Sequence, residues 1–170
     1  MTRYGMVIDT VKCVGCMDCV VACKTENGVP AGFDRDWIAY ETTGVFPTLF
    51  TEIRSERCNH CVNPPCVYCC PCGASHVHAR GGIVLVHHEK CIGCKECMIH
   101  CPFGAVKIHP ITKKAFKCDL CEGREEGPVC ADWCPSGAIS FSDPQMAVKA
   151  KRREKMQERI SAATKAKEVS

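Results

Sequence analysis

The sequence predicts a small α+β protein in two halves, made of short β-hairpins and short helices and followed by a basic C-terminal helix. Three observations lead there. Sixteen of the 18 cysteines in 170 residues fall into four runs of four. Three of those runs end in the same C-P-x-G-A pattern, at Cys70 to Ala74, Cys101 to Ala105 and Cys134 to Ala138. Between the second and third runs, Ser75 to Val86 breaks at Gly81-Gly82, which reads as a strand, a tight turn and a second strand.

The third run sets the chemistry. Cys91, Cys94, Cys97 and Cys101, followed by Pro102, have the C-x2-C-x2-C-x3-C-P spacing of bacterial ferredoxins. Three thiolates two residues apart wrap three corners of one 4Fe–4S cube. The fourth, beyond a turn, ligates the other cube in two-cluster proteins. A structural zinc ion is met instead by two separated C-x2-C pairs. The first run is Cys13, Cys16, Cys19 and Cys23, followed by Lys24 where the others have proline. The second is Cys58, Cys61, Cys66 and Cys70, widened before its third cysteine by Asn63-Pro64-Pro65. The fourth is Cys118, Cys121, Cys130 and Cys134, widened further by the polar loop Glu122 to Val129. Four runs imply four 4Fe–4S clusters, cross-ligated between paired runs.

The elements follow in order. Residues 4–9 read as a short strand ahead of the first run. Residues 37–42 and 48–53 read as two strands around a turn at Gly44 and Pro47, either covering an exposed edge or bridging the halves and widening a docking surface. After each C-P, proline fixes φ and removes a donor, and the glycine two residues on takes a positive φ. A strand then opens at Ala-Ser, Ala-Val or Ala-Ile. Run, hairpin and run make residues 58–109 one complete two-cluster ferredoxin-like half. The first and fourth runs then pair across it, so residues 1–57 with 110–142 form a discontinuous second half. Residues 143–170 are a separate extension. Ser142-Asp143-Pro144 is a helix-start signal, and residues 144–168 are rich in good helix formers, enough for a rod of about 37 Å. Its thin apolar stripe (Met156, Ile160, Ala163) suits docking along a partner or a second copy, giving a homo-oligomer, rather than a place in the core.

Composition narrows the function. Eighteen cysteines approach the density of a disulfide scaffold. The first residues, however, carry no apolar export segment, and no stretch approaches the roughly 20 apolar residues of a membrane span. A reducing, cytoplasmic setting follows, where cysteines mean metal or redox chemistry, although export alongside a signal-bearing partner stays open. Residues 145–170 hold eight Lys or Arg against three Glu, a charge of +5, which leaves −2 of the chain's +3 for residues 1–144. A basic tail also suits an iron–sulfur regulator that binds nucleic acid, but no reading motif accompanies it, so no nucleic-acid partner is expected. There is no phosphate- or dinucleotide-binding glycine motif. With sixteen cysteines closing four cubes, no iron is left open to substrate, and the expected role is one-electron relay without catalysis. Lys12, Lys90 and Lys117 each precede a first cysteine and read as solvated rather than as potential-tuning charges. His60 and His100 read as supporting or surface residues, Trp133 as packing over a cube, and Cys69 and Cys72 as buried small hydrophobes.

The order of the four runs, with C-N-H-C-V-N-P-P-C in the second and K-C-D-L-C opening the fourth, resembles a known family over residues 1–142. It is the four-cluster ferredoxin-like subunits of molybdenum and tungsten oxidoreductases, of the dimethyl sulfoxide reductase iron–sulfur subunit type. The resemblance implies that Cys13, Cys16 and Cys19 share a cube with Cys134, and Cys118, Cys121 and Cys130 one with Cys23. It likewise implies that Cys58, Cys61 and Cys66 go with Cys101, and Cys91, Cys94 and Cys97 with Cys70. It further implies a large molybdenum- or tungsten-pterin catalytic subunit as partner, and a second redox subunit or carrier (flavin, quinone-linked or ferredoxin). In brevity the chain looks most like the small electron-transfer subunit of a tungsten aldehyde oxidoreductase. The corresponding subunits of carbon monoxide dehydrogenases, formate dehydrogenases and hydrogenases are similar.

Overall fold

The computed structural model describes residues 4–79 and 81–142; the expected C-terminal helix, residues 144–168, lies outside them. Along the described chain run β1 (Gly5–Ile8), α1 (Asp18–Glu26), β2 (Asp36–Thr43), β3 (Phe50–Arg57), α2 (Pro65–Tyr68) and β4 (Ser75–Val77). There follow β5 (Val84–Val86), α3 (Glu96–Ile99), β6 (Lys107–Ile108), β7 (Ala115–Phe116), α4 (Val129–Asp132) and β8 (Ile139–Ser142). The strands pair two by two, β1 with β8, β2 with β3, β4 with β5 and β6 with β7, all antiparallel. The result has the small α+β character read from the cysteine runs and hairpins.

All four runs fold by one local rule, in which a helix begins one residue before the third cysteine. In the tightly spaced runs the chain must reverse at once. The residue after the second cysteine does this in left-handed conformation, Met17 at φ 66° and Lys95 at φ 68°, and each caps its helix. The widened runs use an extended proline at the same cap, Pro64 and Pro128, and Pro65 then supplies the φ that a first helical residue needs. At the cap, therefore, an extended proline stands where the tight runs use a left-handed residue, while the left-handed turn of the widened runs falls earlier, at His60 and at Leu120 and Cys121. The exits are equally uniform. Gly73, Gly104 and Gly137 stand at φ 63°, 60° and 61°. Their N–H groups donate to the carbonyls of Cys70, Cys101 and Cys134 at 3.3, 3.2 and 3.1 Å, with no stray donor from the intervening proline. The first run has no such proline, and α1 continues through Cys23 to Glu26.

Pairing of the outermost strands places the runs. The register from Gly5↔Ser142 to Ile8↔Ile139 brings the two ends of the described chain together, and α1 then packs on α4 while α2 packs on α3. The β2–β3 hairpin is longer than the sequence suggested and lies with its base over the first run, Tyr40 and Ile53 closing on Gly15. Its tip, which contains a cis Phe46–Pro47 bond, leaves Val45, Phe46, Leu49 and Phe50 exposed. The β6–β7 hairpin is not foreseen, because two residues per strand are too few to show alternation. The core consists of three small groups, each containing a cysteine: Cys19 with Cys130 and Ile139, Cys118 with Ile83 and Leu120, and Cys97 with Val106 and Ala115. Among the described residues no helix is long and apolar enough to cross a membrane.

Candidate metal centres

Two cavities lie between the second and third runs. One is lined by Cys58, Cys61 and Cys66 of the second run and Cys101 of the third, closed by Val84, Phe103 and Val106. The other is lined by Cys91, Cys94 and Cys97 of the third run and Cys70 of the second, with Cys72 beside it. Each therefore gathers three cysteines of one run and the last of the other. They meet because α2 and α3 pack together and the C-P-x-G turns carry Cys70 and Cys101 across.

The first and fourth runs approach each other likewise. Cys134 packs against the buried group of Cys19, Cys130 and Ile139. The Asn27 amide donates to Cys23 Sγ at 3.6 Å and to Cys121 Sγ at 3.9 Å, joining the last cysteine of the first run to the fourth run. Cys118 is buried, Cys13 is half-buried and Cys16 is exposed, the last two in the loop ahead of α1.

These sulfurs suit metal and little else. All 18 cysteines are free. Burial pushes the Cys97 and Cys118 thiols up to about 12 and Cys130 to about 11, and neighbouring thiols add to this. These three buried thiols resist ionising by themselves, whereas hydrogen bonds from their own turns hold the Cys70 and Cys134 thiols below the ordinary value. Bound iron deprotonates a coordinating thiol outright and supplies the missing positive charge. The sulfurs of the second and third runs ring cavities. Backbone N–H groups already point at them, Ser75 at Cys70 Sγ (3.5 Å) and Ala115 at Cys91 Sγ (3.4 Å), the contacts that tune iron–sulfur potentials.

Charge is placed unevenly. Of the basic residues preceding a first cysteine, Lys12 and Lys90 are exposed, as expected. Lys117 is not solvated: it is 4% exposed, and its Nζ donates to the carbonyls of Val84 and Cys118. Arg57 holds the same position before Cys58, a place the sequence pattern marks. It is 4% exposed, donates through Nη1 to Cys130 Sγ at 3.0 Å and through Nη2 to Ser55 Oγ, and lies 3.9 Å from the Asp36 carboxylate. Ser55 in turn contacts Cys19 Sγ at 3.4 Å, so β3 bridges the first and fourth runs. Burial pushes Asp36 up to about 6 against the pull of Arg57. Arg35 adds an ion pair to Asp119 at 2.9 Å and orients Asn27.

Two further expectations change and two stand. Trp133 is 65% exposed and lies beside Val21 and Ala22 of α1, more a surface residue than the packed one expected. Cys72 lines a cavity where a buried small hydrophobe was expected. Buried His60 accepts a hydrogen bond from the Val84 N–H at 2.9 Å, and His100 is a surface residue at the C-terminal cap of α3.

Comparison with known proteins places this arrangement. Residues 49–144 match the 4Fe–4S dicluster domain, a segment containing the second, third and fourth runs. The chain belongs to the 4Fe–4S dicluster family. It is therefore an iron–sulfur protein holding multiple 4Fe–4S clusters, and the two cavities between the second and third runs lie within the matched dicluster segment. Relatives cover more of the dicluster chain. It is 40% identical to the Protein NrfC homolog of Haemophilus influenzae over 161 residues, 90% of this chain and 72% of that protein. It is 42% identical to Protein NrfC of Escherichia coli over 146 residues, 83% of this chain and 66% of that protein. It is 38% identical to the thiosulfate reductase electron transfer subunit PhsB of Salmonella typhi over 145 residues, 82% of this chain and 75% of that protein.

Proposed function

We propose that this dicluster protein is a non-catalytic electron-transfer subunit that holds four 4Fe–4S clusters in two ferredoxin-like halves. The reading is supported most directly by the two cavities, each lined by three cysteines of one run and the last cysteine of the other. Cys58, Cys61, Cys66 and Cys101 would hold one cluster, and Cys91, Cys94, Cys97 and Cys70 a second. By the same rule, supported by the packing of Cys134 near Cys19 and by Asn27 between Cys23 and Cys121, two more sets follow. These are Cys13, Cys16, Cys19 with Cys134, and Cys118, Cys121, Cys130 with Cys23. Bound clusters supply reversible one-electron chemistry within a range of roughly −700 to +450 mV. The protein's own residues bury the sulfurs, donate hydrogen bonds to them and set the local charge.

The partners follow from the relatives and the resemblance. The PhsB relative is named as the electron transfer subunit of a reductase, which suits a molybdenum-pterin catalytic subunit on one side and a second redox subunit or carrier on the other. The tungsten aldehyde oxidoreductase partner has no support among these relatives.

Anaerobic reconstitution of the full chain with iron and sulfide tests the reading. The expected product is brown, holds about 16 iron and 16 sulfide per chain, and gives the paramagnetic spectrum of reduced 4Fe–4S clusters on dithionite addition. A colourless, zinc-loaded or disulfide-bridged product ends it. Salt-sensitive binding to DNA without electron transfer would favour the regulator instead.

A further inference from the structure

We propose that Cys72 is a reserve ligand of the cavity formed by Cys91, Cys94 and Cys97, able to take the place of Cys70. This rests on the four-cluster reading above. A cube closed by thiolates takes four cysteines, yet five line this cavity: Cys70, Cys72, Cys91, Cys94 and Cys97. The Cys72 and Cys70 Sγ atoms lie 3.7 Å apart. The same offset recurs in the fourth run, where Ser136 Oγ lies 3.6 Å from Cys134 Sγ. A C-P-x-G turn thus aims the side chain between its proline and glycine at the sulfur of the last cysteine. Among the three such turns that side chain is Cys72, Phe103 or Ser136, and in the second run alone it is a thiol.

The turn lies at the surface: Pro71 and Gly73 are exposed, and nothing stands within 4 Å of the position a Cβ would occupy on Gly73. Cys69, the other cysteine outside the sixteen, does not line the cavity and packs instead against the group of Cys97, Val106 and Ala115. In the exchange the Cys72 thiol releases its proton to solvent as its sulfur bonds iron, and the departing Cys70 sulfur takes a proton up. No electron moves.

Four proteins test this: the full wild-type chain, Cys70→Ala, Cys72→Ala and Cys70→Ala/Cys72→Ala, each reconstituted anaerobically and measured for iron, sulfide and the paramagnetic signal of oxidised three-iron clusters. Both single variants are expected to hold wild-type iron without that signal. The double variant is expected to lose up to about a quarter of its iron, the share of one cluster in four, or to show the three-iron signal. Cys70→Ala that loses as much iron as the double variant, through one site or through failure to fold, overturns the proposal. A wild-type chain holding fewer than four clusters ends the four-cluster reading. The reserve-ligand proposal still stands in that case if Cys70→Ala equals wild type and the double variant falls below both.

Discussion

Replacing Arg57 by methionine removes a buried positive charge from beside the sulfur of Cys130 while keeping most of the side-chain volume. In the structure the guanidinium donates to Cys130 Sγ at 3.0 Å. At an effective dielectric constant of about 20, unit charges at that separation interact by roughly 5 kcal/mol. An electron added to an iron–sulfur group is shared over its atoms, and Asp36 at 3.9 Å offsets part of the positive charge. Less than half of that figure, roughly 1–2.5 kcal/mol, therefore acts on the redox couple. For one electron this is about 40–110 mV. The sign is fixed by charge: without Arg57 the reduced state is less favoured and the potential falls. Asp36→Asn removes the opposing charge and should raise it. Potentiometric titration followed by paramagnetic resonance reads both shifts. Breaking a buried pair costs about 3–5 kcal/mol, so the double variant Arg57→Met/Asp36→Asn, which leaves no orphan charge, guards against misfolding and should lie between the singles. If both single variants retain full iron and no potential moves by more than about 15 mV, the electrostatic role of Arg57 is refuted.

Three further outcomes are expected. A Cβ on Gly93 would stand 2.4 Å from the Lys113 carbonyl oxygen at φ +71°, whereas one on Gly104, at φ +60°, meets nothing within 4 Å. Gly93→Ala should therefore lower both iron content and thermal stability, while Gly104→Ala, carrying only left-handed strain of about 1–2 kcal/mol, keeps full iron. His60→Phe orphans the buried Val84 N–H at a cost of about 1–3 kcal/mol; calorimetry should show a melting temperature lower by about 5 °C with iron unchanged, and an unchanged melting temperature would show that this bond contributes nothing. The exposed His87 ring, stacked on His76 at 4.0 Å, is held below the ordinary histidine value by the water it loses to its neighbours and then by the charge of His76. Because the folded protein binds this proton less well than the unfolded chain, its contribution is complete above the unfolded pKa of about 6.5 and is lost as pH falls below it. His76→Ala should move the His87 titration upward by NMR.

Much of the site was legible because its chemistry demands rigid spacing. Three cysteines at two-residue intervals and a fourth after three have one good use, and the C-P-x-G endings foretold turns that Gly73, Gly104 and Gly137 make at positive φ. The local strands around residues 4–9, 75–86 and 138–142 were visible for the same reason, since turn residues bound them. What stayed hidden depended on distance through space. Arg57 and Lys117 occupy the same sequence position as Lys12 and Lys90, yet the first two are buried and the last two exposed. Trp133 adjoins Cys134 in sequence, but its ring faces solvent beside α1.

By itself the sequence marked out the four cysteine runs, the turns that follow them and the iron–sulfur chemistry they suit, because those are set by covalent geometry over a few residues. The tertiary structure supplies the means by which the runs approach one another, the pairing of β1 with β8 and the packing of α1 on α4 and α2 on α3. It also decided where charge is buried, placing Arg57 against Cys130 and leaving Lys12 in water. Burial is a property of what surrounds a residue, and only the folded chain supplies those surroundings.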